Sequence, residues 1–84
     1  MGIHLSTDIR IAAEEAKRLQ NDTAFKRFVN DVREQQKLVF VSSAADEIER
    51  REEAHAIIRA LNQIEVNLDA AIAAETLLDH RQGN

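Results

Sequence analysis

The chain has 84 residues, 15 of them acidic and 11 basic, for a formal charge of −4. That length holds one small domain at most, and a single core of this size rarely supplies more than about 3–5 kcal/mol of net stability. With no cysteine, disulfides, thiolate metal sites and thiol nucleophiles are excluded; the acidic balance argues against generic phosphate binding, and no apolar run approaches the roughly 18 residues of a membrane span.

The chain therefore reads as soluble and intracellular, with residues 1–84 forming one domain whose ends, 1–6 and 80–84, are expected to fray. The opening MGIHLS fits the loose pattern for N-myristoylation at Gly2, but a pattern that recurs so often by chance carries no weight alone. Whether Met1-Gly2 is native is open at this point.

Proline is absent and the two glycines, Gly2 and Gly83, sit near the ends, so nothing in the interior breaks a helix by backbone chemistry. The fold class expected is all-α. Leu5, Ile9, Ala12, Ala16 and Leu19 follow alternating steps of 4 and 3 that place one apolar stripe on a first helix, with Ser6, Thr7 and Asp8 as candidate N-caps. The stripe loses phase at QNDTAF, where Asn21 tolerates a left-handed turn and Asp22 can cap a second helix. That second helix carries Phe25, Phe28, Val29, Val32, Gln36 and Val39. Helices that reverse direction are usually linked by about 2–5 residues, and a break this short predicts a kink.

At VFVSSAADE the β-branched Val39 and Val41 weaken helix propensity and Ser42 or Ser43 can cap a third helix, with Ser43 and Asp46 spaced as a loose capping box. The chain is expected to turn back here. The third segment, from about Ala44 to Asp79, repeats Ala54, Ile57, Leu61, Ile64, Leu68, Ala71, Glu75 and Leu78 in steps of 3 and 4. Ile58 and Ile72 widen this stripe on one flank. The architecture predicted is an antiparallel helical hairpin with a kinked first arm (a short helix, a break at Asn21-Asp22, a second helix) and one long third helix. A compact three-helix bundle is the alternative. Pairs such as Asp22 with Lys26, Asp46 with Arg50 and Glu47 with Arg51 are spaced to support helices locally.

Glu52 and His55 form a Glu-x-x-His, the element that helical di-iron proteins combine with a further Glu, for which Glu34 is the candidate. Direction argues against the site: at about 100° per residue Glu52 lies near 180° from Leu61, and Glu34 is similarly far from the stripe of its own helix. No metal and no cofactor are expected, and His55 is expected to be a partly buried, hydrogen-bonded ring at the boundary. No Gly-rich phosphate loop can form and no nucleophile has a base, orienting group and oxyanion donors around it, so no catalytic residues are expected. A basic row, Arg10, Lys17, Lys26, Arg33 and Lys37, occupies one flank of the first arm. It could meet phosphate, but neighbouring Asp31, Glu14 and Glu34 lower its potential; ion pairing explains it, and nucleic-acid binding is expected to be weak.

The stretches AKRLQNDTAFKRFVNDVREQQ, with Leu19, Asn21-Asp22 and Phe25, and RREEAHAIIRALNQIEVNLDAAI, with Arg51-Glu52 leading into Arg59-Ala60-Leu61, resemble a family of small proteins encoded in tailed bacteriophages and prophages. The resemblance covers about three quarters of the chain. Phe40 stands where that family often has Trp, and His55 where it often has an aromatic ring. What the resemblance implies is a phage context and no enzyme, hence a place in the cytoplasm of an infected or lysogenic bacterial host or in the virion.

The function expected is helix-on-helix association, as a virion structural, scaffolding or assembly component. The competing reading is a small binding module that inhibits or adapts a host enzyme, in anti-defence or packaging. The partner expected is another protein, either a second copy or a phage or host protein. Candidate contact residues are Ile57, Ile58, Leu61, Ile64, Leu68 and Ile72, with Phe25, Phe28 and Val32 opposite.

Overall fold

The computed structural model describes residues 2–82, the side chains of 2–4 excepted. Three helices account for almost all of it: α1 over Gly2–Asn21, α2 over Thr23–Ser42 and α3 over Ile48–Gln82. No strand occurs among the described residues, and the fold is all-α, with α1 and α2 packed on α3. The expected N-caps Ser6, Thr7 and Asp8 fall inside α1, which already includes residues 2–6. Likewise α3 includes 80–82, with His80 and Arg81 in the last turn, where they complement the negative end of the helix dipole. The rest of the ends expected to fray lies outside the described residues.

Contacts divide the chain into two compact units, one of residues 1–22 with 65–84 and one of residues 23–64. In the first, Arg10 meets Asp79 and Gln82, Lys17 meets Glu75 and Gln20 meets Asp69, so α1 runs antiparallel to the second half of α3. In the second, Arg33 meets Asn62 and Phe40 meets His55, so α2 runs antiparallel to the first half. The break between α1 and α2 is a single non-helical residue, Asp22, whose N–H donates to the Leu19 carbonyl at 3.1 Å. No described non-glycine residue has a positive φ, so Asn21 ends α1 without the left-handed turn the sequence allows.

The buried line of α1 is not the expected stripe. Ala13 and Ala16 are fully covered, Ile9 and Gln20 are half-buried, and Ala12, Leu5 and Leu19 are exposed. Periodicity cannot choose between the adjacent alanines 12 and 13; the polar contacts of Arg10, Lys17 and Gln20 with α3 turn the helix by one residue. In α2 the half-buried line is Phe25, Val29, Arg33, Gln36 and Val39, leaving Phe28 and Val32 outside it. The α3 repeat faces its partners as expected over Ala54, Ile57, Leu61, Leu68, Ala71, Glu75 and Leu78, but Ile64 is 43% exposed.

Among the described residues the buried apolar side chains are Ala13, Ala16 and Ala54, and no large one is fully covered. Small residues at the contact line let helix backbones approach closely while contributing little apolar area of their own.

The turn over residues 43–47 is built differently from the Ser43–Asp46 box. The Ala44 N–H donates to the Glu47 carboxylate at 2.7 Å while the Glu47 N–H donates to the Ala44 carbonyl at 3.0 Å, one residue further along than expected. Ser43 instead donates backward to the Phe40 carbonyl at the end of α2. Glu47 pairs with Arg50 at 3.3 Å, which releases Arg51 from the expected helix pair. The Arg51 guanidinium donates to Ser43 Oγ, to the Ala44 carbonyl and, at 3.2 Å, to the Ala45 carbonyl. A planar fork suits this task because it satisfies several loop acceptors at once, which a lysine could not match.

The Ala44 N–H holds the Glu47 carboxyl below its ordinary value, with Arg50 and Arg51 adding to the effect. Its contribution to stability is complete above the ordinary carboxyl range and lost as pH falls through the lowered value. Urea unfolding of the native chain and of Glu47→Gln should therefore differ at pH 7 and converge toward pH 3; a difference that persists unchanged in acid would contradict this account.

Candidate interaction face

Each unit has two flanks, one on either side of its buried line, and they differ in chemistry. In the first unit the polar flank is closed by ion pairs. Lys17 Nζ lies 2.7 Å from Glu75 Oε1 and 3.6 Å from Glu14, and Arg10 reaches Asp79 at 2.7 Å and Glu75 at 3.8 Å. Glu75, which occupies a stripe position in the sequence, is the buried charged residue of the described chain at 9% exposure. Its hydrogen bond is the main reason the Lys17 ammonium is held above its ordinary value, with Glu14 adding to the same effect. The other flank of this unit carries Leu5, Ala12 and Leu19 from α1, all exposed.

In the second unit the contacts Arg33–Asn62, at 3.3 Å, and Phe40–His55, edge to face at 6.4 Å between ring centroids, mark one side of the helix pair. At about 100° per residue this side also holds Lys26 and Lys37 from α2 and Arg59 from α3. Lys37 pairs with Glu34 at 3.2 Å. His55 is exposed here and packs against Phe40, in place of the partly buried position expected of it. The same geometry sets Phe28, Val32 and Val39 on the opposite side of α2, and Ile57, Ala60 and Ile64 on the same side of α3. Phe28 is 61% exposed, with the Arg27 guanidinium 5.1 Å from its ring centroid, and Val32 is 37% exposed.

Comparison with protein-family models, with curated proteins and with solved structures finds no match for this chain. The site must be read from its own geometry.

The residues singled out in sequence fall into three groups. Phe28, Val32 and Ile64 share the exposed apolar side of the second unit, with the half-buried Ile57 at its edge. Phe25, Ile58 and Leu61 are half-buried between α2 and α3, and Leu68 and Ile72 are half-buried in the first unit. The basic row is divided by its partners: Arg10 and Lys17 are engaged by acidic residues of α3, Arg33 by Asn62 and Lys37 by Glu34, while Lys26 is exposed. Glu52 and Glu34 are both exposed, and no three His, Asp or Glu side chains among the described residues stand close enough to share a metal ion. Surface depressions lined by Arg10, Ile11, Glu14, Glu15 and Arg18, and by residues 46–50 at the turn, are each open, charged and built on one short stretch of chain. They offer no enclosed volume to a small molecule. No described helix is long and apolar enough to cross a membrane.

Sequence reasoning missed Arg51 as the clamp of the turn and Glu75 as the partner of the basic row. The second was discoverable, because folding the chain back at Ser43 brings Arg10 and Lys17 near Asp79 and Glu75.

Proposed function

We propose that this chain is a non-enzymatic protein that acts through helix-on-helix association, as a structural, scaffolding or assembly component of a phage-type particle. The observation that carries the reading is the exposure of Phe28, Val32 and Ile64 on one side of the second unit, in a chain whose buried apolar side chains, among the described residues, are alanines. A helix pair that covers so little of its own leucine, isoleucine and phenylalanine surface gains most from another helix laid against it. The phage setting rests on the family resemblance of residues 16–36 and 50–72.

Sedimentation at micromolar concentration should show a dimer or larger species. Ile64→Ala supplies a second measure. A side chain this exposed in the single chain would cost about 1 kcal/mol or less on truncation, so a larger and concentration-dependent loss of stability reports that another chain covers it. A strict monomer with a cooperative transition, insensitive to Ile64→Ala, would sink the reading.

The exposed cations of the opposite side, Lys26 and Arg59 among them, favour a second reading, a module that docks on an acidic surface of a host enzyme. They do not make a nucleic-acid site: binding to DNA near 150 mM salt should be weak. Submicromolar affinity abolished by Lys26→Glu with Arg33→Glu would overturn that expectation, and its salt slope would count the phosphates contacted.

A further inference from the structure

We infer that α1 carries two faces able to pack on the second half of α3, and that the covered Glu75 carboxylate selects the one observed; this does not rest on the association reading. The observed face is Ile9, Ala13, Ala16 and Gln20. The other is the stripe that runs through Ile9, Ala12, Ala16 and Leu19. The two share Ile9 and Ala16, and at about 100° per residue they are turned from each other by about 50° around the helix axis. They differ in that the observed face covers a glutamine where the other would cover a leucine: Gln20 is half-buried, whereas Leu19 is 38% exposed and Ala12 is exposed beside it. On the Leu19 flank α3 offers Ala71, Ala74 and Leu78, all half-buried. The contacts of Lys17 with Glu75 and of Gln20 with Asp69 set the register, which places Leu19 roughly level with the small Ala71. The non-helical Asp22 interrupts the backbone ladder, so turning α1 does not require α2 to turn with it.

Apolar burial alone favours Leu19 over Gln20 at the contact, so a polar interaction must outweigh it. Glu75 supplies that interaction. It is 9% exposed and stands on the contact line of α3, with Lys17 Nζ 2.7 Å from one carboxylate oxygen and Arg10 3.8 Å from the other. Both cations lie on the Gln20 side of α1. Turning the helix toward Leu19 draws them away while the carboxylate stays at the contact, and a covered charge that loses its partner costs far more than an exposed one. The Gln20–Asp69 bond, 2.7 Å long, acts in the same direction but is exposed to solvent, where such contacts contribute little. Glu75 is therefore a positioning residue for α1. With an apolar side chain at 75 the reason to keep Gln20 against α3 is gone, and Leu19 takes its place.

Because the chain has no cysteine, single introduced thiols report which face is covered. In the full chain, the thiol of Ala13→Cys should react with a soluble thiol reagent more slowly than that of Ala12→Cys, by about tenfold or more. Adding Glu75→Leu to each should reverse that order, with the far-ultraviolet helix signal retained. An order that stays as in the native chain would overturn the inference, because α1 would then keep its face without Glu75. Equally fast reaction at both positions would overturn it too, since α1 would have come away from α3 in place of turning on it. If a thiol variant fails to fold, thermal melts of Leu19→Ala decide. That substitution should cost the Glu75→Leu chain about 4 °C or more beyond what it costs the native chain, and equal losses in the two backgrounds would overturn the second face.

Discussion

Replacing Ala13 by leucine is expected to lower stability by about 2–3 kcal/mol, the upper range for overpacking a close contact. For a domain of this length each kcal/mol moves the melting temperature by about 4–8 °C, so the transition should fall by at least 8 °C. The reason is that Ala13 is fully covered where α1 lies on α3, and a longer side chain there must push the helices apart and separate Lys17 from Glu75. Ala12→Leu, one residue away and exposed, should change the transition little and serves as the control. A rise in melting temperature for Ala13→Leu would mean that the contact contains room a methyl group does not fill.

The second large effect concerns Glu75, and its sign depends on which partner is removed. Lys17→Met should destabilise the chain clearly, because it leaves a nearly covered carboxylate with Arg10 alone at 3.8 Å. Glu75→Leu removes the covered charge instead and leaves Arg10 and Lys17 with side chains 44% and 43% exposed, able to hydrate. Replacing a covered ionic group by an apolar one of similar volume is neutral or stabilising in many proteins; with half-exposed partners the gain expected is about 0–2 kcal/mol. Thermal melts of the two variants at pH 7 should therefore move in different directions or differ strongly in size. The Lys17 contribution disappears as pH rises through its elevated value, so the contrast should hold at neutral pH and shrink in strong alkali. Equal losses for both substitutions would show that the pair acts as a net attraction.

How much of this could be read from the residues differs by element. In α3 the steps of 3 and 4 from Ala54 to Leu78 run through about seven turns, which fixes the phase better than any single residue does even though Ile58, Ile72 and Leu77 broaden the stripe, and of the repeat only Ile64 is exposed. In α1, Ala12, Ala13 and Ala16 leave the phase undetermined between neighbours; it is set by Arg10, Lys17 and Gln20 reaching residues 49 to 72 positions away, which no local pattern contains. The turn was legible as a turn, but its chemistry was not. Two serines drew the cap to Ser43, whereas the reciprocal bonds run between Ala44 and Glu47 and the donor that reaches three turn acceptors, Arg51, lies in the next helix. Of the candidate face, Phe28, Val32, Ile57 and Ile64 were visible as members of the apolar stripes and not as a face of their own. That they share one side, opposite Arg33, Asn62 and His55, depends on the register between α2 and α3.

The spacing of the contacts also bears on the order in which the chain assembles. Arg51 reaches Ser43 across 8 residues, Arg33 reaches Asn62 across 29, and Arg10 reaches Gln82 across 72. Loop-closure entropy rises as (3/2)RT ln n, so forming the last of these from an open chain costs about 2 kcal/mol more than forming the first. Once the turn is made, each later contact closes only the short gap beyond its predecessor. Folding should therefore begin at residues 43–51 and proceed as a zipper toward the ends, and local opening should run in reverse. Amide exchange should then be slowest around Ala54 and faster at Ile9 and Asp79, a gradient of protection along two lengths of helix that share one hinge of closure.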